Sequence, residues 1–159
     1  MIKPGMYISE RYEIIDKVGS GGMADVYKSK CHRLNRYVAI KILKNEYSSD
    51  KNFVAKFRAE AQSAAGLSHP NIVNVYDVGD DEGLYYIVME LVEGITLKKF
   101  IERKGRLEIK EAVGIAIQIA QGMEAAHANH IIHRDIKPQN IIISRDAKVK
   151  VTDFAIPNA

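Results

Sequence analysis

HRDIKPQN (133–140) and the segment that follows it, IIISRDAKVKVTDF (141–154), decide how this chain is read. Asp135, Lys137 and Asn140 put a proton acceptor, a cation and an amide oxygen within six residues that show neither helical nor strand periodicity, so an irregular loop is expected there. The next residues alternate as a strand pair does and predict a hairpin turning at Arg145 to Ala147. Pairing Ile143 with Lys148 sets Ile141 opposite Lys150 and brings Asn140 beside Val151 and Thr152, hence close to Asp153. Two hard oxygen ligands at the open end of a hairpin suit Mg²⁺, which keeps several waters and shares its shell with substrate phosphates. A polar turn capped by Asp and Asn is the alternative, and the whole constellation weighs against it.

Upstream, IKEAVGIAIQIAQGMEAAHA (109–128) is long and apolar, and its Ala, Gln, Met and Glu content favours helix over the strand that alternating Val113, Ile115, Ile117 and Ile119 would suggest. Its apolar residues point in most directions, which describes a helix surrounded by other structure. His127, His130 and His133 have metal-like spacing, but Asn129 and the pair Ile131–Ile132 end the helix before the three converge. TLKKFIERKG (96–105) reads as a short helix capped by Thr96 and closed by Gly105.

The first 90 residues have another character. YEIIDKV (12–18), DVYKSKC (25–31), YVAIKIL (37–43), NIVNVYDV (71–78) and LYYIVMEL (84–91) predict a five-stranded antiparallel sheet. Between the third and fourth, Phe53, Phe57, Ala61 and Ala64 recur at helical spacing after a cap at Ser49 or Asp50. The fold class expected is therefore α+β, with a strand-rich lobe over residues 1–93 carrying one main helix, and a mainly helical lobe with a β-hairpin over residues 94–159.

Two further places can carry chemistry. In GSGGMADV (19–26), glycines between two strands leave amide N–H groups free to approach a phosphate; a plain hairpin would use the same residues. No helix follows these glycines and no GK[ST] is present, which weakens dinucleotide-fold and Walker-loop readings. Lys41 sits in VAIKIL on the strand face that also carries Ala39 and Leu43, where a snorkelling lysine is the ordinary case. Glu60, three residues after Phe57 and four before Ala64, lies beside the helix's apolar stripe and is the natural partner for that ammonium. Met89 alone reads as core.

Composition sets the outer limits. The 159 residues are 47% hydrophobic and 27% charged, as in a globular protein. A net charge of +3 spread along the chain gives no support for nucleic-acid binding, and the single Cys31 excludes an internal disulfide framework. No run approaches a membrane span and the N-terminus lacks a signal peptide's apolar centre, so a cytoplasmic location is expected.

In combination and in this order, GSGGMADV, VAIK, HRDIKPQN and DFA (153–155) resemble the protein-kinase family. Lys137, two residues after Asp135, matches its Ser/Thr branch. GGMADVYK, FRAEAQSAAGLSHPNIVNVYDVG and HRDIKPQNI are most similar to bacterial Ser/Thr kinases, many of which carry a membrane anchor further downstream. The resemblance implies ATP and Mg²⁺ or Mn²⁺ as cofactors and a Ser or Thr of a protein as acceptor. It implies that Gly19, Ser20, Gly21, Gly22, Met23 and Ala24 cover the phosphates while Lys41, paired with Glu60, holds the α and β phosphates. Val26, Ala39 and Ile142 would sandwich the adenine, with Met89 as gatekeeper and Glu90 to Val92 as hinge. Asp135 would accept the hydroxyl proton, Lys137 would steady the γ phosphate, and Asn140 and Asp153 would bind the metal.

Three features depart from the family pattern. Ala24 replaces the third glycine, Ala155 replaces the glycine of DFG, and only six residues follow Asp153, without a recognisable activation segment. A truncated kinase is expected on these grounds, with a catalytically impaired, pseudokinase-like binding module as the alternative. Without the rest of the second lobe, the apolar sides of 109–128 are expected to drive self-association.

Overall fold

β-branched and aromatic residues alternating between tight turns give the first part of the chain an antiparallel sheet, seen in a computed structural model that describes residues 1–152. Asp153, Phe154 and Ala155, on which three of the sequence expectations fall, lie outside the described residues. The chain divides into two compact units, Met1–Ala61 with Val75–Leu91, and Gln62–Asn74 with the chain from Val92 onward.

The first unit holds β1 (Tyr7–Ile8), β2 (Tyr12–Ser20), β3 (Ala24–Cys31), β4 (Arg36–Leu43), β5 (Val75–Asp81) and β6 (Leu84–Met89) in the order β1-β2-β3-β4-β6-β5, every pair antiparallel. Five strands were expected; the sixth, β1, is a two-residue pairing with the start of β2. β5 and β6 join through Glu82 and Gly83, at φ 51° and 82°, the left-handed pair that a two-residue hairpin loop requires. β4 is the central strand, and its two faces bury different sets. Val38, Ile40 and Ile42 join Ile14, Tyr27, Cys31, Tyr86 and Val88 on one face, while Leu43 joins Ala24, Phe57, Ala61 and Ile87 on the other.

Phe57 and Ala61 belong to α2 (Lys51–Ala65), which follows a one-turn α1 (Asn45–Ser48) that nothing in the sequence signalled. Asp50 accepts the Asn52 N–H at 2.9 Å and so provides the expected cap. On the other face, the Tyr12 hydroxyl donates to Asp77 at 3.2 Å; burial and then the Asp77 charge push its pKa up to about 12.

Ser29, wholly buried on β3 between Ile14 and Val38, has no hydrogen-bond partner for its hydroxyl among the described residues. An orphaned buried hydroxyl costs roughly 1–3 kcal/mol. Ser29→Ala is expected to raise stability by about 1 kcal/mol and Tm by about 2–4 °C; a melting curve that falls instead would show that the hydroxyl is satisfied in solution.

The second unit contains β7 (Gly94–Thr96), α3 (Leu97–Lys104), α4 (Ile109–Ala128), β8 (Ile141–Ser144) and β9 (Val149–Val151), with the strands ordered β7-β8-β9. Thr96 caps α3 by accepting the Lys99 N–H at 3.2 Å, and Gly105 ends it at φ 80°. The core gathers Leu67, Ile72, Leu97, Ala126, Ile141, Ile143, Val149 and Val151, and Ile115, Ile119 and Met123 of α4 pack on it. The other side of α4 is uncovered among the described residues: Ile109, Val113 and Ile117, four residues apart, are 85%, 51% and 52% exposed. None of the described helices is long and apolar enough to cross a membrane.

Residues 62–74 differ from the sequence reading in two ways. They were assigned to the first lobe, and Asn71–Asn74 to a strand, yet they pack in the second unit and β5 begins only at Val75. The reason is hydrogen bonding to segments far along the chain. Val151 N–H donates to the Asn71 carbonyl at 2.8 Å, and Val73 N–H donates to the Val151 carbonyl at 2.9 Å. The Asn71 side-chain amide donates to Val149 O (2.8 Å) and Gln118 Oε1 (3.1 Å), and Gln118 Oε1 also accepts Val149 N–H at 2.9 Å.

The hairpin register also differs by one residue: Ile143 pairs with Val149 and Ile141 with Val151. Arg145–Ala147 do form the turn, but Ser144 N–H donates to the Lys148 carbonyl (2.9 Å) and Ala147 takes φ 62°, so Lys148 faces Ser144 rather than Ile143.

Candidate active site

The residues singled out in the first unit lie on one sheet face and its edge. Val26 pairs with Lys41 and Ala39 with Met89, and cross-strand partners share a face, so Val26, Ala39, Lys41 and Met89 stand together on the side that carries Leu43 and α2. Lys41 Nζ lies 2.7 Å from Glu60 Oε1, with the two side chains only 17% and 26% exposed. Phe57 and Ala61, one helical turn apart, bury the stripe that aims Glu60 at the strand. Breaking such a half-buried pair leaves one charge poorly solvated, so each group holds the other in place.

The glycine string forms the β2–β3 turn. Gly21 N–H donates to Ala24 O at 2.8 Å, and Ser20 Oγ donates to Asp25 Oδ1 at 2.6 Å. That hydroxyl, then the neighbouring Lys17 and Lys44, holds the Asp25 carboxyl below the usual carboxylate range. Gly19, Gly21 and Gly22 are not among the positive-φ glycines, and a Cβ on Gly22 would meet nothing within 4 Å. Among the described residues nothing packs against position 22, so the backbone there has an open face.

In the second unit, His133 is fully buried and locks the loop. Its Nδ1 accepts Asp135 N–H at 3.1 Å and its Nε2 lies 2.7 Å from Thr152 O, so both ring nitrogens are engaged. Asn140 Nδ2 donates to both Asp135 O (3.0 Å) and Asp135 Oδ2 (3.2 Å), while Lys137 Nζ is 3.3 Å from the same Oδ2. Thr152 N–H donates to Asn140 O at 3.0 Å, so Thr152 is tied to the loop at both its N–H and its carbonyl. The expected proximity of Asn140 and Thr152 is therefore present, and Asp153 follows outside the described residues. Asp135 and Lys137 stay about half exposed (49% and 47%), open to a reacting group. With Nδ2 committed to Asp135, Asn140 Oδ1 has no protein partner among the described residues, which fits a hard oxygen ligand for a divalent ion.

Ile142 points away from the core residues Ile141 and Ile143, on the half-buried face of β8. Glu90 and Val92 lie on opposite sides of the boundary between units. His127 and His130 are exposed, and the described residues contain no group of three metal-ligating side chains, so the three histidines do not form a site. Sequence reasoning missed Thr152, whose contacts run through its backbone N–H and carbonyl and leave no residue-type signal.

Residues 12–158 match the protein kinase domain family. This chain belongs to the protein kinase family. It is 52% identical over 155 residues to the serine/threonine-protein kinase PrkC of Bacillus subtilis, covering 98% of this chain and 24% of PrkC. A probable serine/threonine-protein kinase of Clostridium perfringens is 51% identical over 96% of this chain and 22% of its own length. The chain thus spans about a quarter of the length of these curated relatives. Among solved structures, the PknI kinase domain of Mycobacterium tuberculosis matches with a TM-score of 0.85 and 26% identity, over 99% of this chain and 63% of that domain. The kinase-like α+β fold, with an antiparallel sheet followed by helices and a small second sheet, accords with that likeness.

Proposed function

We propose that this chain carries the nucleotide-binding and phosphoryl-transfer groups of a Ser/Thr protein kinase, with Mg-ATP or Mn-ATP as donor and a protein Ser or Thr hydroxyl as acceptor. The observation that carries this reading is the cluster of Asp135, Lys137 and Asn140, held by His133 and Thr152 with a carboxylate, an ammonium and an available amide oxygen in mutual reach.

In this reading the amides of residues 20–24 bind phosphate oxygens, and Lys41, held in place by Glu60, neutralises the α and β phosphates. Val26, Ala39, Met89 and Ile142 contact the base, and the backbone from Glu90 to Val92 bonds its edge. Asn140 and Asp153 would hold a divalent ion, which would supply charge neutralisation on the phosphates. Asp135 accepts the proton of the attacking hydroxyl as the new oxygen–phosphorus bond forms and the bond to the β-phosphate oxygen breaks, releasing ADP; Lys137 offsets charge on the transferred group. Self-association through the exposed Ile109, Val113 and Ile117 belongs to the same proposal.

Nucleotide binding tests the core of this reading without requiring turnover. A ligand that binds only the folded state stabilises it by about 2.7 kcal/mol at one hundred times its Kd. Mg-ATP is expected to raise the Tm of the wild-type chain, and Lys41→Met is expected to lose most of that shift. A wild-type chain with no shift at saturating Mg-ATP would overturn the proposal.

A further inference from the structure

We propose that Lys44 is a positioning residue for the glycine-rich turn, a role that rests on the nucleotide reading above. Lys44 follows directly on the end of β4 and reaches back to the turn twice. Its backbone N–H donates to Met23 O at 2.9 Å, and its ammonium donates to Gly21 O at 2.6 Å. The same Nζ lies 4.0 Å from Asp25 Oδ1, the oxygen that accepts from Ser20. Lys17 sits on the other Asp25 oxygen at 3.4 Å.

These contacts explain how so bare a turn keeps one shape. Ser20, Gly21 and Gly22 are exposed and contribute little packing. A chain of glycines loses more conformational entropy on ordering than any other, so a turn that must present its amides to a ligand needs restraint from outside. Lys44 supplies it from the rigid central strand, which is buried on both faces. Its side chain is 27% exposed, and its hydrogen bond to the Gly21 carbonyl is charge-assisted. A turn ordered before the nucleotide arrives spares the ligand that cost, so the clasp raises affinity without touching the reacting atoms.

The test compares Lys44→Met, which keeps the stem and removes the ammonium, with Lys44→Arg, which restores a donor. Amide hydrogen exchange at Gly21, whose N–H is bonded to Ala24 O, reads the clasp directly; Mg-ATP titration reads its effect. Lys44→Met is expected to speed Gly21 exchange about tenfold and to weaken Mg-ATP binding about five- to tenfold. Lys44→Arg is expected to return both to within about twofold of wild type. Lys17→Met, which removes a charge from Asp25 but no bond to the turn's carbonyls, is expected to leave Gly21 exchange unchanged. Wild-type exchange in Lys44→Met would overturn the clasp; faster exchange with unaltered affinity would overturn its positioning role. A wild-type chain that binds no Mg-ATP would overturn both the parent reading and the positioning role, with the exchange arm still reporting the clasp.

Discussion

Asp135→Asn is expected to lower phosphate transfer from labelled Mg-ATP to a Ser- or Thr-containing acceptor by about 10²–10⁴-fold, the range that a positioned proton acceptor contributes. Asn keeps the shape of Asp and still accepts from Asn140 Nδ2 and Lys137 Nζ, the two groups now on Asp135 Oδ2. It loses the negative charge and with it the capacity to take a proton. The fold of the loop rests on other bonds: His133 holds Thr152 O and the residue-135 N–H, and Asn140 Nδ2 also holds the residue-135 carbonyl. Mg-ATP affinity is therefore expected to stay within about twofold of wild type. Transfer at the wild-type rate would remove Asp135 from the proposed role. Loss of affinity equal to loss of transfer would mean that the carboxylate acts in binding and not in the reaction step.

Gly94→Val is expected to destabilise the second unit by about 3 kcal/mol, the upper part of the range for overpacking. Gly94 opens β7 opposite Ser144, and a Cβ there would fall on the Ile143 carbonyl oxygen and within 2.8 Å of the Ile143 carbonyl carbon and Ser144 Cα. All three are backbone atoms of β8, so no side-chain rotation relieves the clash; either β7 leaves the sheet or β8 bends. Gly114 on α4 is the contrasting case, with nothing within 4 Å of a Cβ. Gly114→Ala is expected to stabilise by about 0.5–1 kcal/mol through helix propensity alone. Urea unfolding of both variants checks the pair, and a Gly94→Val midpoint equal to wild type would show that β8 yields freely.

Much of this was legible from residue order because the informative features were local. Thr96 and Gly105 bound α3 as their chemistry requires, and the Phe57–Ala61 spacing placed Glu60 on the side of α2 from which it reaches Lys41. The four motifs together pointed to the protein kinase family, to which the chain belongs. What was not legible depends on partners distant in sequence. Ile72 and Val73 look like strand residues, and their burial against Val151 rather than in the first sheet is settled by hydrogen bonds to a segment almost eighty positions away. The hairpin slipped by one residue because the left-handed Ala147 closes a three-residue turn, and alanine carries no signal for that conformation. On α4, apolarity says that a surface seeks cover, and Ile109, Val113 and Ile117 have none among the described residues, in accord with the uncovered apolar side expected for 109–128.

The anchoring of Asn71 by Gln118 and Val149 bears on how the molecule is made. Translation delivers Leu67, Asn71 and Ile72 long before Val149 and Val151, and only then can their apolar surface and amide groups be satisfied. A chain still on the ribosome and extended only to residue 140 carries an unfinished second unit whose earliest segment waits for its last strand. Such late closure of distant pairings slows folding and prolongs exposure to aggregation or to a chaperone.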